Sequence, residues 1–241
     1  ILISFALGRY PIPVGEIVPI LIGRAVDGLN ALINAVAGLF GAAPGEVIPF
    51  EQTWTDRMEI VFFNIRLPRL LLACLVGCCL SAAGAAYQGI FQNPMASPDI
   101  LGASQGAAFG AALAIFLRSN TQMVTVSAFA FSLVTVAAAI FVSSRAKGKR
   151  VLSLVLSGIM ISSLFQAGTS FIKLVADPND QLPAITYWLM GSLASVKRRD
   201  LWFAAIPICA GILPLLFLRW RINLLTLSEA EARSMGVNTH R

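Results

Sequence analysis

The sequence predicts an all-α fold, a polytopic transmembrane helix bundle. The first observation is composition: the chain is 57% hydrophobic and only 12% charged, with a mean hydropathy of +0.77, whereas soluble domains carry about 25% charged residues. The second is the stretch Leu70–Phe91, which contains no charged residue and as a helix is long enough for the roughly 30 Å hydrocarbon core. The third is that further apolar stretches of this kind follow, separated by short charged loops.

The predicted spans form one membrane domain over 1–241. Residues 1–7 read as the tail of a span whose beginning is missing, and not as a signal peptide, because no charged segment precedes them. Residues 8–66 are predicted as a mixed connection, in which Leu29–Phe40 is too short to cross and suits the membrane surface. A short helix at 184–195 is expected to pack inside the protein without crossing. The remaining spans are predicted at 67–91, 99–117, 122–144, 151–175 and 201–218.

Prolines mark the ends of the first complete span. Pro68 suits the first turn of a helix, where its missing N–H costs nothing. Pro94 and Pro98 prevent the helix from continuing beyond Phe91. The sequence therefore predicts a helix that begins near residue 67 and ends at a loop with two prolines.

The basic residues set the orientation. Arg145, Lys147, Lys149 and Arg150 crowd one connection without an acid, which places it in the cytoplasm. The segment 177–180 then lies outside and the C-terminal tail inside, although Lys197–Arg199 falls outside, against the rule. The net charge of +6 is distributed between apolar spans, which argues against nucleic-acid binding.

Small residues predict close helix packing. Gly102, Gly106 and Gly110 repeat every four residues, so they lie along one face of a helix. Such stripes let helix backbones approach closely where lipid offers no hydrophobic drive. We therefore expect a tight bundle.

Polar residues at membrane depth have two interpretations. Gln88, Gln105 and Gln166 lie within predicted spans, where polar groups need partners or water. They either make hydrogen bonds between helices or line a pathway, and the sequence leaves both open. Lys173 is near the outer end of its span, where a lysine can snorkel without a special role.

No constellation of catalytic residues appears. Phosphate-binding, zinc-protease and nucleophile-elbow motifs are absent from the sequence, so neither an enzyme nor a bound cofactor or metal is predicted. Cys74 and Cys78 are one turn apart, but without accompanying His, Asp or Glu they favour a role as small apolar residues. No acidic residue lies deep in a span, so the ion site typical of ion-driven transporters is missing from this chain.

The C-terminal tail reads as a short capped helix. Ser228 is a good N-cap, Glu229 and Glu231 complement the positive helix end, and Gly236 is a natural stop. A small helix beside a span suits docking to another protein. The alternative is a solvated turn.

These features together resemble a known family, the FecCD-type permeases of bacterial ABC importers for iron–siderophores, haem and cobalamin. The resemblance rests on four motifs in order along nearly the whole chain: Ile65–Arg69, Gln92–Gly102, Tyr187–Leu193, and Asn223–Leu225 through Gly236–Val237. Met95 departs from the usual leucine, a volume-conserving change, and Ser228 replaces a usual glycine.

The resemblance implies a transport subunit of the bacterial inner membrane that hydrolyses no ATP itself. It implies a homodimer, or a pair of paralogous permeases, with the pathway along their interface, and two ATPase subunits on coupling helices at 226–238. A periplasmic or lipid-anchored binding protein is expected to dock at Arg66 and Arg69. Ser153, Ser157 and Gly158 match the gating region. The coupling residues are expected to be Leu225, Ser228, Glu229, Ala232, Arg233 and Gly236.

The same resemblance implies about ten spans, of which this chain holds about six. We therefore expect an N-terminal portion that does not transport alone. The leading hypothesis is the permease subunit of an ATP-driven importer for an iron chelate or similar metal complex. An ion-coupled secondary transporter or channel is the alternative, and a membrane enzyme is disfavoured.

Overall fold

The structure, a computed structural model, describes residues 10, 12–39, 48–49, 52–146 and 150–224. These residues form seven helices and no strand, which confirms the predicted all-α membrane fold. The described chain divides into two compact units, one from residues up to Val76 together with Leu193–Cys209, the other from Gly77–Ser192 with the segment that begins at Ala210. The helices are α1 (Val14–Leu39), α2 (Asp56–Phe91), α3 (Ala103–Phe116), α4 (Thr121–Arg145), α5 (Arg150–Val175), α6 (Gln181–Met190) and α7 (Arg198–Leu224).

Five of these helices, α1, α2, α4, α5 and α7, are long and apolar enough to cross a membrane. The helix α3 has only 14 residues and is shorter than the segment 99–117 predicted as a span. The helix α6 has 10 residues. It begins three residues before the predicted start of the short helix at 184 and ends five residues before the predicted end at 195. Large apolar side chains on the long helices are exposed, such as Leu174 at 81%, as expected of surfaces that face lipid or a partner.

The helix α1 was not foreseen. The prediction of a mixed connection over 8–66 is wrong for Val14–Leu39, which forms one helix of 26 residues with Pro19 inside it. Its charged residues Glu16, Arg24 and Asp27 interrupt the apolar pattern from which spans were predicted. Its apolar face packs through Ile17 and Ile20 against a buried cluster, and tertiary packing of this kind stabilises most helices in proteins.

The helix α2 is longer than the predicted span 67–91. It runs for 36 residues and includes a π-helical segment, Phe62–Arg66, at whose end the Leu67 N–H donates to the Phe62 carbonyl. The α-helical part that follows begins at Leu67, the predicted boundary, so Pro68 lies in its first turn as expected, whereas the helical residues Asp56–Val61 and the π-helical segment before it were not predicted. A widened π turn accommodates a residue that cannot donate the usual hydrogen bond.

The core of the second unit lies where α3, α4 and α5 meet. Phe109, Phe131 and Phe165 come one from each helix, and their rings pack edge to face with centroids 5.2–6.3 Å apart. Such contacts contribute about 0.5–1.5 kcal/mol beyond area burial. Gly168 faces the ring of Phe109, where a Cβ would lie 2.7 Å from Cε2.

A buried glutamine links α6 to the end of α3. The Gln181 side chain is 8% exposed. Its Nε2 donates to the Phe116 carbonyl at 2.9 Å, and its Oε1 accepts from the Asp177 N–H at 3.1 Å. Beside it, Arg118 and Asp180 form a largely exposed ion pair at 3.8 Å.

Candidate functional site: a polar cavity between α3, α5 and α6

A cavity of about 540 Å³ opens between α3, α5 and α6. Its size falls in the range of small-molecule sites. Although the surrounding helices are apolar, most of the lining side chains are polar. The lining consists of Ser104, Gln105, Ala107, Ala108, Gln166, Thr169, Ser170, Lys173, Trp188 and Leu189.

The cavity brings together two of the three glutamines that the sequence placed at depth. Gln105 comes from α3 and Gln166 from α5. Neither side chain makes a hydrogen bond with any other residue that the structure describes. The third, Gln88, is exposed on α2 and is not among the lining residues. Of the two interpretations left open by the sequence, hydrogen bonds between helices are not made by Gln105 or Gln166 within the described chain, and the pathway wall stays a prediction.

The side of the cavity that α5 contributes is a stripe of polar residues that was not predicted from the sequence. Gln166, Thr169, Ser170 and Lys173 all line the cavity, and their spacing of three, four and seven residues puts them on one helix face. This spacing in the sequence could have predicted a polar face on α5. That face was missed because Lys173 was interpreted by itself, as a residue that snorkels.

The loop before α3, residues 93–102, is ordered by its own side chains. Asn93 Oδ1 accepts from the Met95 N–H at 2.9 Å and Ser97 Oγ from the Asp99 N–H at 3.2 Å. Asp99 Oδ1 accepts from the Ser104 N–H in the first turn of α3 at 2.8 Å, where a carboxylate also complements the helix dipole. The Asn-Pro-x-Ala-Ser-Pro-Asp motif is therefore a set of side-chain-stabilised turns that ends in a helix cap.

This loop packs directly on α5. A Cβ at Gly158 would lie 2.4 Å from the Ile100 carbonyl oxygen, and a Cβ at Gly102 would lie 1.8 Å from Ser162 Oγ. Gly102 has a φ of +77°, a conformation that costs other residues about 1–2 kcal/mol. Both glycines are required by close approach, and Gly102 by its backbone as well.

Of the three residues matched to a gate, Gly158 makes this contact, and Ser153 and Ser157 precede it on α5. Ser157 is buried at 5% exposure, and its Oγ donates to the Ser153 carbonyl at 2.7 Å. Ser153 is half-buried on the same face, one turn away. Gly158 touches the loop, as described above. None of the three lines the cavity, which borders α5 from Gln166 onward.

The predicted glycine stripe divides between two neighbours. Gly106 and Gly110 face α4, where a Cβ would lie 2.0 Å from Thr135 Oγ1 and 2.5 Å from the Ser127 carbonyl oxygen respectively. Ser127 Oγ also donates to the Gly110 carbonyl at 2.7 Å. Gly102, just before the first turn of α3, faces α5 instead. The three glycines thus hold α3 between two helices.

The two arginines expected at a docking surface differ in exposure. Arg66 is 7% exposed, and its guanidinium donates to the Tyr10 carbonyl. Arg69 is half-buried, and its guanidinium donates to the Ala194 carbonyl at 2.7 Å. Arg69 is therefore the more accessible of the pair. The coupling segment 226–238, with Leu225, and the partial span 1–7 lie outside the described residues.

Comparison with known proteins gives consistent results. The FecCD transport family matches residues 1–241. The chain is 37% identical over 237 residues to the molybdate import system permease protein MolB of Haemophilus influenzae, covering 98% of this chain and 63% of MolB. It is 35% identical over 229 residues to the hemin transport system permease protein HmuU of Yersinia pestis, covering 89% of this chain and 67% of HmuU.

A solved structure has the same fold. It is described as an inward-facing conformation of a metal-chelate type ABC transporter, and it matches with a TM-score of 0.71 at 34% identity, covering 90% of this chain and 68% of that one. The chain spans about two thirds of the length of these proteins. Since the family matches from the first residue to the last, this multi-pass membrane protein belongs to the FecCD transport family.

Proposed function

We propose that the full-length protein is the membrane-spanning permease subunit of an ATP-driven importer. Its cargo would be an iron chelate, such as a siderophore complex or haem, or a similar metal complex, carried across the bacterial inner membrane. Membership of the FecCD family supports the transport class. The observation that carries the proposal is the open cavity with a mostly polar lining between otherwise apolar helices, because polar groups in membrane-spanning segments mark substrate pathways.

In this proposal the cavity is part of the wall of the translocation pathway. Gln105 and Gln166 each offer two donors and an acceptor and lack partners among the described residues. They can therefore exchange hydrogen bonds with a passing polar cargo. The Gly158 contact at the inner part of α5 would fix the loop 93–102, and Ser153 and Ser157 would form the gate next to it.

The partners follow from the same proposal. Two ATPase subunits would bind the coupling segment, with contacts from Leu225, Ser228, Glu229, Ala232, Arg233 and Gly236. A second copy of the permease, or a paralogue, would complete the pathway. A periplasmic or lipid-anchored binding protein would dock through Arg69, with Arg66 supporting the surface by holding the chain at Tyr10.

The alternative, an ion-coupled secondary transporter, needs a different energy source. None of the residues lining the cavity is acidic, so this part of the chain offers no carboxylate for proton or sodium coupling. The two mechanisms differ in their response to ATP depletion, and that difference forms the basis of the test.

The decisive experiment reconstitutes the full-length gene product in lipid with the ATPase and binding protein encoded beside it. We expect ATP hydrolysis to be stimulated by loaded binding protein. Failure of any ATPase to associate, or uptake that persists after ATP depletion and collapses with the ion gradient, would overturn the proposal.

A second experiment tests the cavity. Gln105→Leu and Gln166→Leu should each reduce uptake by about tenfold, since each removes polar contacts that a cargo would use. Gln88→Leu is the matched control, because Gln88 is a glutamine of a predicted span that does not line the cavity, and it should behave as wild type. Equal loss in all three variants would indicate a general packing defect and contradict the role of the cavity.

A further inference from the structure

The polar stripe of α5 leaves its nitrogen donors free while its hydroxyls are engaged. Thr169 Oγ1 donates to the Phe165 carbonyl and Ser170 Oγ to the Gln166 carbonyl, each at 3.0 Å. These hydroxyl oxygens can then only accept further hydrogen bonds. The donors without a hydrogen-bond partner among the described residues include the amides of Gln105 and Gln166 and the ammonium of Lys173, which all line the cavity.

Lys173 is the one charged residue among those that line the cavity. The nearest acid along the chain, Asp177, uses its Oδ1 to accept from the Asn179 N–H at 2.9 Å. The next, Asp180, pairs with Arg118. No described carboxylate lies within ion-pair distance of the Lys173 ammonium, so the cavity carries an uncompensated positive charge.

An ammonium without a carboxylate partner attracts anions, and the attraction is stronger where the surrounding helices limit the access of water. Amide and ammonium donors converge on an oxyanion better than on an apolar or cationic group. The lining therefore favours cargo that carries anionic oxygen atoms. A neutral cargo could use the glutamines but would leave Lys173 unpaired.

We propose that this cavity recognises oxyanion groups, with Lys173 as the residue that selects anionic over uncharged cargo. The group is either a free inorganic oxyanion or a carboxylate on a metal chelate, since both present the same chemistry. The proposal rests on the proposed transport function and narrows its cargo. It makes Lys173 a specificity-determining residue.

The test measures binding to the purified full-length permease in complex with its ATPase partner. Equilibrium dialysis with labelled molybdate probes the free oxyanion, and labelled ferric citrate probes the chelate carboxylate. Ferrichrome, a neutral ferric hydroxamate chelate with no carboxylate or phosphate group, serves as the uncharged competitor. The variants are Lys173→Gln, which removes the charge, Lys173→Arg, which keeps it, and Arg118→Gln as a matched cation outside this cavity.

We expect one of the two anions to bind, with affinity reduced about tenfold in Lys173→Gln and largely retained in Lys173→Arg. Arg118→Gln should bind as wild type, and ferrichrome should not compete. Binding of molybdate alone would identify a free oxyanion, and binding of ferric citrate alone a chelate carboxylate. Equal affinity in Lys173→Gln and wild type, binding of neither anion, or competition by ferrichrome would overturn the inference.

Stimulated ATP hydrolysis of the same preparation separates the two claims. If hydrolysis responds to loaded binding protein but the anions bind equally well to Lys173→Gln, the importer stands and the anion site fails. If no ATPase associates, the importer itself fails. Thermal unfolding of each variant checks that Lys173→Gln does not act by removing a charge that complements the α5 C-terminus.

Discussion

Gly158 on α5 lies against the backbone of Ile100, with only 2.4 Å between the carbonyl oxygen and the point where a Cβ would stand. The contact joins a transmembrane helix to the loop whose turns cap α3. It is closer than any side chain allows, and the atom in the way belongs to the backbone. The loop cannot move aside without disturbing its own hydrogen bonds.

We therefore predict that Gly158→Ala destabilises the protein by about 1–3 kcal/mol, the usual cost of overpacking. Thermal unfolding in detergent measures this. Gly77→Ala is the matched control, since no atom lies within 4 Å of a Cβ there and alanine is the better helix former. If both variants unfold at the same temperature, the close contact is not present in solution.

Gln181 gives a second prediction, on stability alone. Gln181→Leu would leave the Phe116 carbonyl and the Asp177 N–H without their partner, and each stranded buried group costs about 1–3 kcal/mol. We expect a lower unfolding temperature and faster hydrogen exchange at Asp177. Thr186→Ala is the control, because that exposed hydroxyl bonds only to its own helix. Unchanged exchange at Asp177 in Gln181→Leu would contradict the link.

Arg69 tests docking of the binding protein. Arg69→Glu should weaken association about tenfold at low salt, because it would place like charges together if the partner surface is acidic. The effect should shrink as salt screens the charges. Arg57→Glu, an exposed arginine on the same helix, is the control. If the affinity changes neither with the substitution nor with the salt concentration, Arg69 is not part of the interface.

The predicted role of the segment 226–238 in coupling to the ATPase can be tested from its sequence alone. Glu229→Lys reverses a charge at the predicted helix start, and Gly236→Pro alters the predicted stop. Both should abolish stimulated ATP hydrolysis while the membrane bundle still assembles, as judged by size-exclusion chromatography. Ser234→Ala in the same segment should be silent. Normal stimulation in both variants would place the ATPase contact elsewhere.

The sequence predicted the fold class well because segments that cross hydrocarbon must be long and apolar, which is visible in the composition. Long uncharged stretches such as Leu70–Phe91 have few alternatives to a helix. The family also followed from motifs with a structural reason, since Asn93, Ser97 and Asp99 each accept a hydrogen bond that shapes the loop.

Other features depend on tertiary context and were missed. The helix α1 was not predicted because its charged residues and Pro19 interrupt the apolar pattern of the sequence. Its apolar face is recognised only in the structure, where it packs in one cluster with Phe62. Pro68 correctly marked the start of the α-helical part of α2 at Leu67, but the π-helical segment Phe62–Arg66 before it left no signal in the sequence. The spacing of residues along the chain does not show which helices are neighbours. It therefore could not predict that Arg66 is buried, or that Gln105 lines the same cavity as Gln166 and Lys173.

The shortness of α3 has a consequence for the chain at its two ends. Fourteen helical residues rise about 21 Å, less than the roughly 30 Å of hydrocarbon in a bilayer. Such a helix cannot reach both headgroup layers by itself, and irregular backbone at membrane depth is tolerated only where protein or water satisfies its polar groups. The side chains of Asp99 and Gln181 provide such partners, Asp99 at the start of α3 and Gln181 at its end.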